Sequence, residues 1–236
     1  MRSSRIKGRR QKDEGRRSCR THFSCFCLLP SAFCLAVVLA AAPYRSDFSA
    51  ADLGSLPKDM QRINGNFAVA TFENKKVLEL PGEPLDTFGV LFGPADHAEL
   101  DARARVWSAA SGRRFPEFGV GAGDVGGYKL LVLPGQKKLE LRKGDDVAAS
   151  ADMRHPWKSA TWTAVRLRVT KAGENRWKVE GKSWPADAAE PPAWDVSQEV
   201  TEPPTAGRAS VWGVPFSGQA IRFDGLTAEP SAAAGR

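Results

Sequence analysis

Glu99 and Asp101 stand two residues apart in the run Glu99-Leu100-Asp101-Ala102-Arg103-Ala104-Arg105-Val106-Trp107. Side chains at i and i+2 of an extended strand share a face, so both carboxylates would point into one space. Paired carboxyls do glycoside chemistry, one serving as nucleophile or base while the other protonates the leaving group. The same alternation places Arg103, Arg105 and Trp107 beside the acids and leaves Leu100, Ala102, Ala104 and Val106 for a core. A strand with a solvated charged face has this pattern too, and for Glu99 and Asp101 that reading outweighs the catalytic one.

The tryptophans carry more information. There are seven, more than a core of this size needs. Trp177 alternates with Val179, and Trp212 lies amid Ala209, Val211 and Val214, so both are assigned to packing; Trp194 is assigned to pinning a proline-rich loop. Trp107 and Trp184 instead fall on the polar faces of their strands, next to Arg105 and Lys182. An indole among charged side chains can stack a sugar ring while its neighbours bond the hydroxyls. The ligand-binding candidates are therefore Trp107, Trp184, Arg105, Arg166 and Lys182. The competing reading is that loops cover both indoles.

Metal and nucleotide chemistry find little support. All cysteines (Cys19, Cys25, Cys27 and Cys34) precede residue 42, which excludes a disulfide framework or thiolate site from the rest of the chain. His97 and His155 have no acid at ligand spacing, so neither a zinc site nor a histidine triad is expected. Asp124 and the pair Asp145-Asp146 offer oxygens to calcium, yet without the ladder of alternating acids that marks a binding loop. No cofactor is expected, with calcium the one alternative. The glycine cluster Gly121 to Gly127 lacks the Lys-Ser/Thr ending of a phosphate loop and reads as a strand connection.

Charge divides the chain. Of 34 basic and 27 acidic residues, nine and two lie in residues 1–42, leaving 25 of each and no net charge beyond. A nucleic-acid partner is thereby disfavoured. The basic head runs into the apolar stretch Phe26 to Ala42, which is shorter than a membrane span and interrupted by Pro30. Residues 1–42 read as a signal peptide cut near Ala40 or Ala41, which makes the remainder secreted or periplasmic with no membrane span after cleavage.

Short alternating runs bounded by turn residues fill residues 43–230. The clearest are Thr161 to Thr170 and Arg176 to Trp184, a hairpin around Gly173-Glu174-Asn175. Val165, Leu167, Val169, Trp177, Val179 and Gly181 form its inner face; Lys178, Glu180 and Lys182 point outward. Asp145 to Pro156 reads as a polar connection, and 231–236 as a disordered tail. About a dozen strands at regular spacing predict an all-β, single-domain antiparallel sandwich of jelly-roll type, with a barrel as the alternative.

The segments Trp162 to Val169, Trp177 to Pro185, Glu190 to Trp194, Gly207 to Gly213 and Ile221 to Leu226 resemble the second half of a concanavalin A-like lectin/glucanase (laminin G-like) jelly roll, as found in the 3-keto-disaccharide hydrolase-like domain of secreted bacterial proteins. The resemblance implies a fold hosting both binding modules and glycosidases. The glucanases carry Glu-x-Asp-x-Glu or a variant one residue longer, and here Arg103 and Ala104 stand where the third acid would be. The expectation is an exported, non-catalytic module that binds carbohydrate or a cell-envelope component. A glycosidase-like enzyme and a purely structural domain are the alternatives.

Overall fold

The structure, a computed structural model, describes residues 43–82 and 86–231. The assigned signal peptide and residues 232–236 of the tail lie outside the described residues. Among the described residues fifteen strands make up the regular structure: β1 (Tyr44–Ser46), β2 (Gln61–Asn64), β3 (Ala68–Phe72), β4 (Lys75–Leu80), β5 (Phe88–Phe92), β6 (Leu100–Ser108), β7 (Glu117–Ala122), β8 (Tyr128–Leu133), β9 (Lys138–Lys143), β10 (Asp146–Asp152), β11 (Thr161–Gly173), β12 (Arg176–Pro185), β13 (Val196–Val200), β14 (Ala209–Val214) and β15 (Ile221–Pro230). Among the described residues no helix is long and apolar enough to cross a membrane.

The strands form two antiparallel sheets. One has the order β13-β12-β11-β6-β15-β4-β3 with β1 added against β15; the other runs β10-β9-β8-β7-β14-β5-β2. Their inner faces supply a shared core in which Phe67, Phe92, Phe118, Phe223, Leu130 and Leu167 are fully buried. Period-two alternation produces this directly: Val165, Leu167 and Val169 of β11 face inward, opposite Ala104 and Ala102 of β6. Gly181 of β12 is part of the same face, and a Cβ there would lie 2.5 Å from Leu130 Cδ1 of the opposite sheet. Its missing side chain is therefore the space that Leu130 fills.

Two strands depart from the expectation. Asp145 to Pro156 is not a loose connection, because β10 pairs with β9 from Asp146 to Asp152. Its inward residues Ala149 and Ala151 only partly bury against the core, and alanine is a poor strand signal. Trp212 is buried as expected, but not with Val211 and Ala209. It lies on the outer face of the seven-stranded sheet, in a separate cluster with Leu131, Leu133 and Ile63.

Candidate functional site

The outer face of the eight-stranded sheet gathers nearly all the polar candidates, and strand register arranges them in rows. Trp162, Trp107, Arg222 and Glu79 are cross-strand neighbours in the first row. Trp184, Ala164, Arg105 and Asp224 make the second, and Lys182, Arg166, Arg103, Thr227 and Arg45 the third. Glu180, Arg168, Asp101 and Glu229 follow in the fourth. Trp107, Trp184, Arg105, Arg166 and Lys182 thus share one face of one sheet. Their accessibility differs sharply.

The segment after β12 folds back over this face, and it is the reason. Glu190 pairs with Arg103 at 3.2 Å, with Lys182 at 2.7 Å and with Arg166. Lys182 also donates to the Pro191 carbonyl at 2.6 Å, and the Trp194 ring lies 4.5 Å from Lys182, 4.5 Å from Arg168 and 5.1 Å from Arg166. Trp194 therefore does pin the loop, by cation–π contact with three cations. Burial opposes the charge on Glu190, but bonds from Lys182 and Arg166 outweigh it and hold the carboxyl below its ordinary range. The mirror effect raises Arg166, whose hydrogen bonds to the Asp101 and Glu190 carboxylates outweigh desolvation.

Lys182 and Trp184 were expected to project into solvent, and they are 3% and 8% exposed. Placement on the outer face followed from the alternation; exposure depended on a loop whose path the alternation does not encode. Asp101 is equally occupied, with both oxygens accepting from Arg166 and one from Arg103. Glu99 precedes β6, and its carbonyl accepts from the Ser231 amide. Asp124 accepts from the Arg208 amide, tying the loop after β7 to the segment before β14, and Asp145 lies 3.6 Å from Lys129. Among the described residues no group of three or more His, Cys, Asp or Glu is arranged to hold a metal ion.

The accessible aromatic part of the face lies in the first row, where Trp107 and Trp162 are half-buried; in the second row Trp184, Ala164 and Asp224 are each 8% exposed. Phe72 packs on Trp107 at 4.9 Å and edge-on to Trp162 at 6.3 Å, while Arg222 lies over both Phe72 and Trp107. Trp162 is only half-buried, and it was not among the sequence candidates although the alternation that set Arg166 outward sets Trp162 there too. Its Nε1 donates to Glu73 Oε2 at 3.3 Å, and Arg105 lies 5.3 Å from its ring. A cavity of about 330 Å³ opens beside it, lined by Arg105, Lys158, Thr161, Trp162, Pro185 and Asp187. A larger one of about 570 Å³ lies elsewhere, within the segment Arg45 to Asp59, and none of the sequence candidates lines it.

Solved structures share this architecture. The chain is similar to the apo Crh5 transglycosylase (TM-score 0.53, 14% identity, 83% of this chain and 87% of that one). It is also similar to the carbohydrate recognition domain of Emp47p (TM-score 0.51, 13% identity, 80% and 96% covered). A third is a Bacillus subtilis protein of unknown function with a galectin-like fold (TM-score 0.51, 9% identity, 82% and 98% covered). The fold is a concanavalin A-like jelly roll. No family model and no curated protein matches the chain. Within this jelly roll the half-buried Trp162 and its cavity belong to one sheet face, and the buried ion-pair cluster to the same face further along the strands.

Proposed function

We propose that the domain is an exported, non-catalytic module that binds carbohydrate on the outer face of its eight-stranded sheet. The observation that carries this reading is Trp162, a half-buried indole held at the edge of a 330 Å³ cavity whose other walls include Arg105, Lys158, Thr161 and Asp187. A flat aromatic surface beside donors and acceptors of both signs is the chemistry a sugar ring needs. Trp107 supports the indole through Phe72 rather than contacting the ligand itself. The fold's occurrence in a carbohydrate recognition domain is consistent with the reading.

The non-catalytic half rests on Asp101 and Glu190. A glycosidase needs two carboxyls about 5–9 Å apart that are free to exchange protons, and these two acids are engaged by Arg103, Arg166 and Lys182. Export rests on the leader alone, and intact-mass analysis of protein from its host checks it. A cell-envelope polysaccharide is the natural partner of such an exported module. Affinity electrophoresis against a panel of neutral and acidic polysaccharides tests binding: wild type should be retarded by at least one, and Trp162→Ala should weaken that retention several-fold, the loss of about 1 kcal/mol of stacking. Equal retention of wild type and variant would remove Trp162 from the site, and no retention by any glycan would end the reading.

A further inference from the structure

We infer that the compartment beside Trp184 accepts an anionic sugar unit, so that the ligand of this face is an acidic saccharide; the inference rests on the carbohydrate-binding reading above. Next to the Trp162 cavity lies a second one of about 260 Å³, walled by Trp184 and Ala186 and floored by Ala164 and Gly225. Arg45, Arg103 and Arg105 line it, together with Thr227, and no acidic side chain does. Arg105 lines both compartments. The two are therefore adjacent and suit consecutive units of one chain.

The balance of donors and acceptors separates them. Guanidinium groups only donate, and the one side-chain acceptor among the lining residues of the second compartment is the Thr227 hydroxyl. A neutral sugar hydroxyl placed there would find partners for its oxygen and few for its hydrogen. A carboxylate or sulfate, which only accepts, needs none. The first compartment differs, because Asp187 and Thr161 supply acceptors alongside Lys158 and Arg105.

Arg105 is the arginine left short of partners, since Arg45 bonds Glu229 at 2.6 Å and Arg103 bonds Asp101 and Glu190 at 3.2 Å. The carboxylate partners, Glu229 for Arg45, Asp101 and Glu190 for Arg103, and Asp224 for Arg105, all lie outside the cavity lining. The Arg105–Asp224 contact is 3.6 Å, beyond a hydrogen bond. Arg105 Nε and Thr227 Oγ1 are buried without a partner, so it is the exposed remainder of the Arg105 side chain, 42% accessible, that can meet an incoming oxygen. The site is built by a strand irregularity: the register of β15 against β6 shifts between Asp224 and Thr227, and Gly225 at φ 57 carries no Cβ into the space beside Arg105. This is where the sheet face widens into a pocket.

Isothermal titration with three probes tests the inference: an oligogalacturonate, the same oligomer fully methyl-esterified, and a sulfated dextran fragment. An acid form bound at least tenfold more tightly than the ester supports a carboxylate, and a sulfated probe bound in preference to both supports a sulfate; either preference should shrink with added salt. Arg105→Gln should abolish the preference and Arg105→Lys should keep part of it, since lysine retains charge but not the planar fork. Arg45→Gln is the variant least able to disturb the fold, Arg45 being 65% exposed, and it should lower acid binding several-fold while leaving the ester unchanged. Ester and acid bound equally through Trp162, or an acid affinity indifferent to Arg45 and Arg105, would overturn the inference and leave the carbohydrate reading standing. Failure of every saccharide, neutral or charged, would overturn both.

Discussion

The Glu190 carboxylate lies 2.7 Å from the Lys182 ammonium, tying the proline-rich loop to the middle of β12. Lys182, Arg166 and Arg103 are direct cross-strand neighbours, and like charges so placed repel. Glu190 touches all three, and Asp101 adds a second carboxylate from β6. Glu190→Gln should therefore leave a 4% exposed ammonium without its counter-charge. Breaking a buried pair costs about 3–5 kcal/mol; because Glu190 is itself 31% exposed, roughly 2 kcal/mol is expected. Urea unfolding reads this as a lower midpoint with an unchanged slope.

Acidification should release the same loop. The folded-state pKa values of Glu190 and Glu180 are depressed, in each case because ion pairs outweigh burial. Their stabilisation is complete above the unfolded carboxylate value of about 4.3 and is lost as pH falls through the lower folded values. Tryptophan fluorescence should stay constant from neutral pH to about 5 and change below about 4, as Trp194 leaves its three cations. In Glu190→Gln the acid step should be smaller, and an identical step would place the transition elsewhere.

Most of the architecture was readable in the alternation of residue types, because burial on one face of a strand leaves a period-two record. The hairpin of β11 and β12 pairs Val165 with Ser183 and Leu167 with Gly181, as its pattern requires. β10 left a weaker record, since Ala149 and Ala151 are small and the strand lies at a sheet edge. The site was half readable. Alternation assigns Trp107, Trp162, Trp184 and Lys182 to one face, but which of them solvent reaches depends on Glu190 and Trp194 returning across that face, a long-range contact with no periodic trace.

Trp184 and Trp162 should separate stability from binding. Trp184 is 8% exposed, so Trp184→Ala should cost about 3 kcal/mol, a fall in melting temperature of roughly 6–12 °C for a domain of this size. Trp162 is half-buried and its replacement should lower the melting temperature by much less. Differential scanning calorimetry of the two variants distinguishes them, and comparable shifts would mean that Trp162 is a packing residue.

Gly181→Ala tests how the two sheets meet. Alanine ordinarily suits a strand better than glycine by about 0.5–1 kcal/mol, so propensity alone predicts a gain. The new Cβ would lie 2.5 Å from Leu130 Cδ1 and 3.1 Å from its Cγ, and Leu130 is fully buried, leaving it no free rotamer space. Overpacking of this kind costs about 1–3 kcal/mol, so the net change should be destabilising by roughly 1 kcal/mol. Leu130→Ala alone should cost about 2–5 kcal/mol through the cavity it leaves. In the double variant the alanine at 181 occupies part of that cavity, and the two effects should fall short of their sum by at least about 0.5 kcal/mol. Additive costs would show that Gly181 is dictated by the strand's backbone and not by the leucine that fills its place.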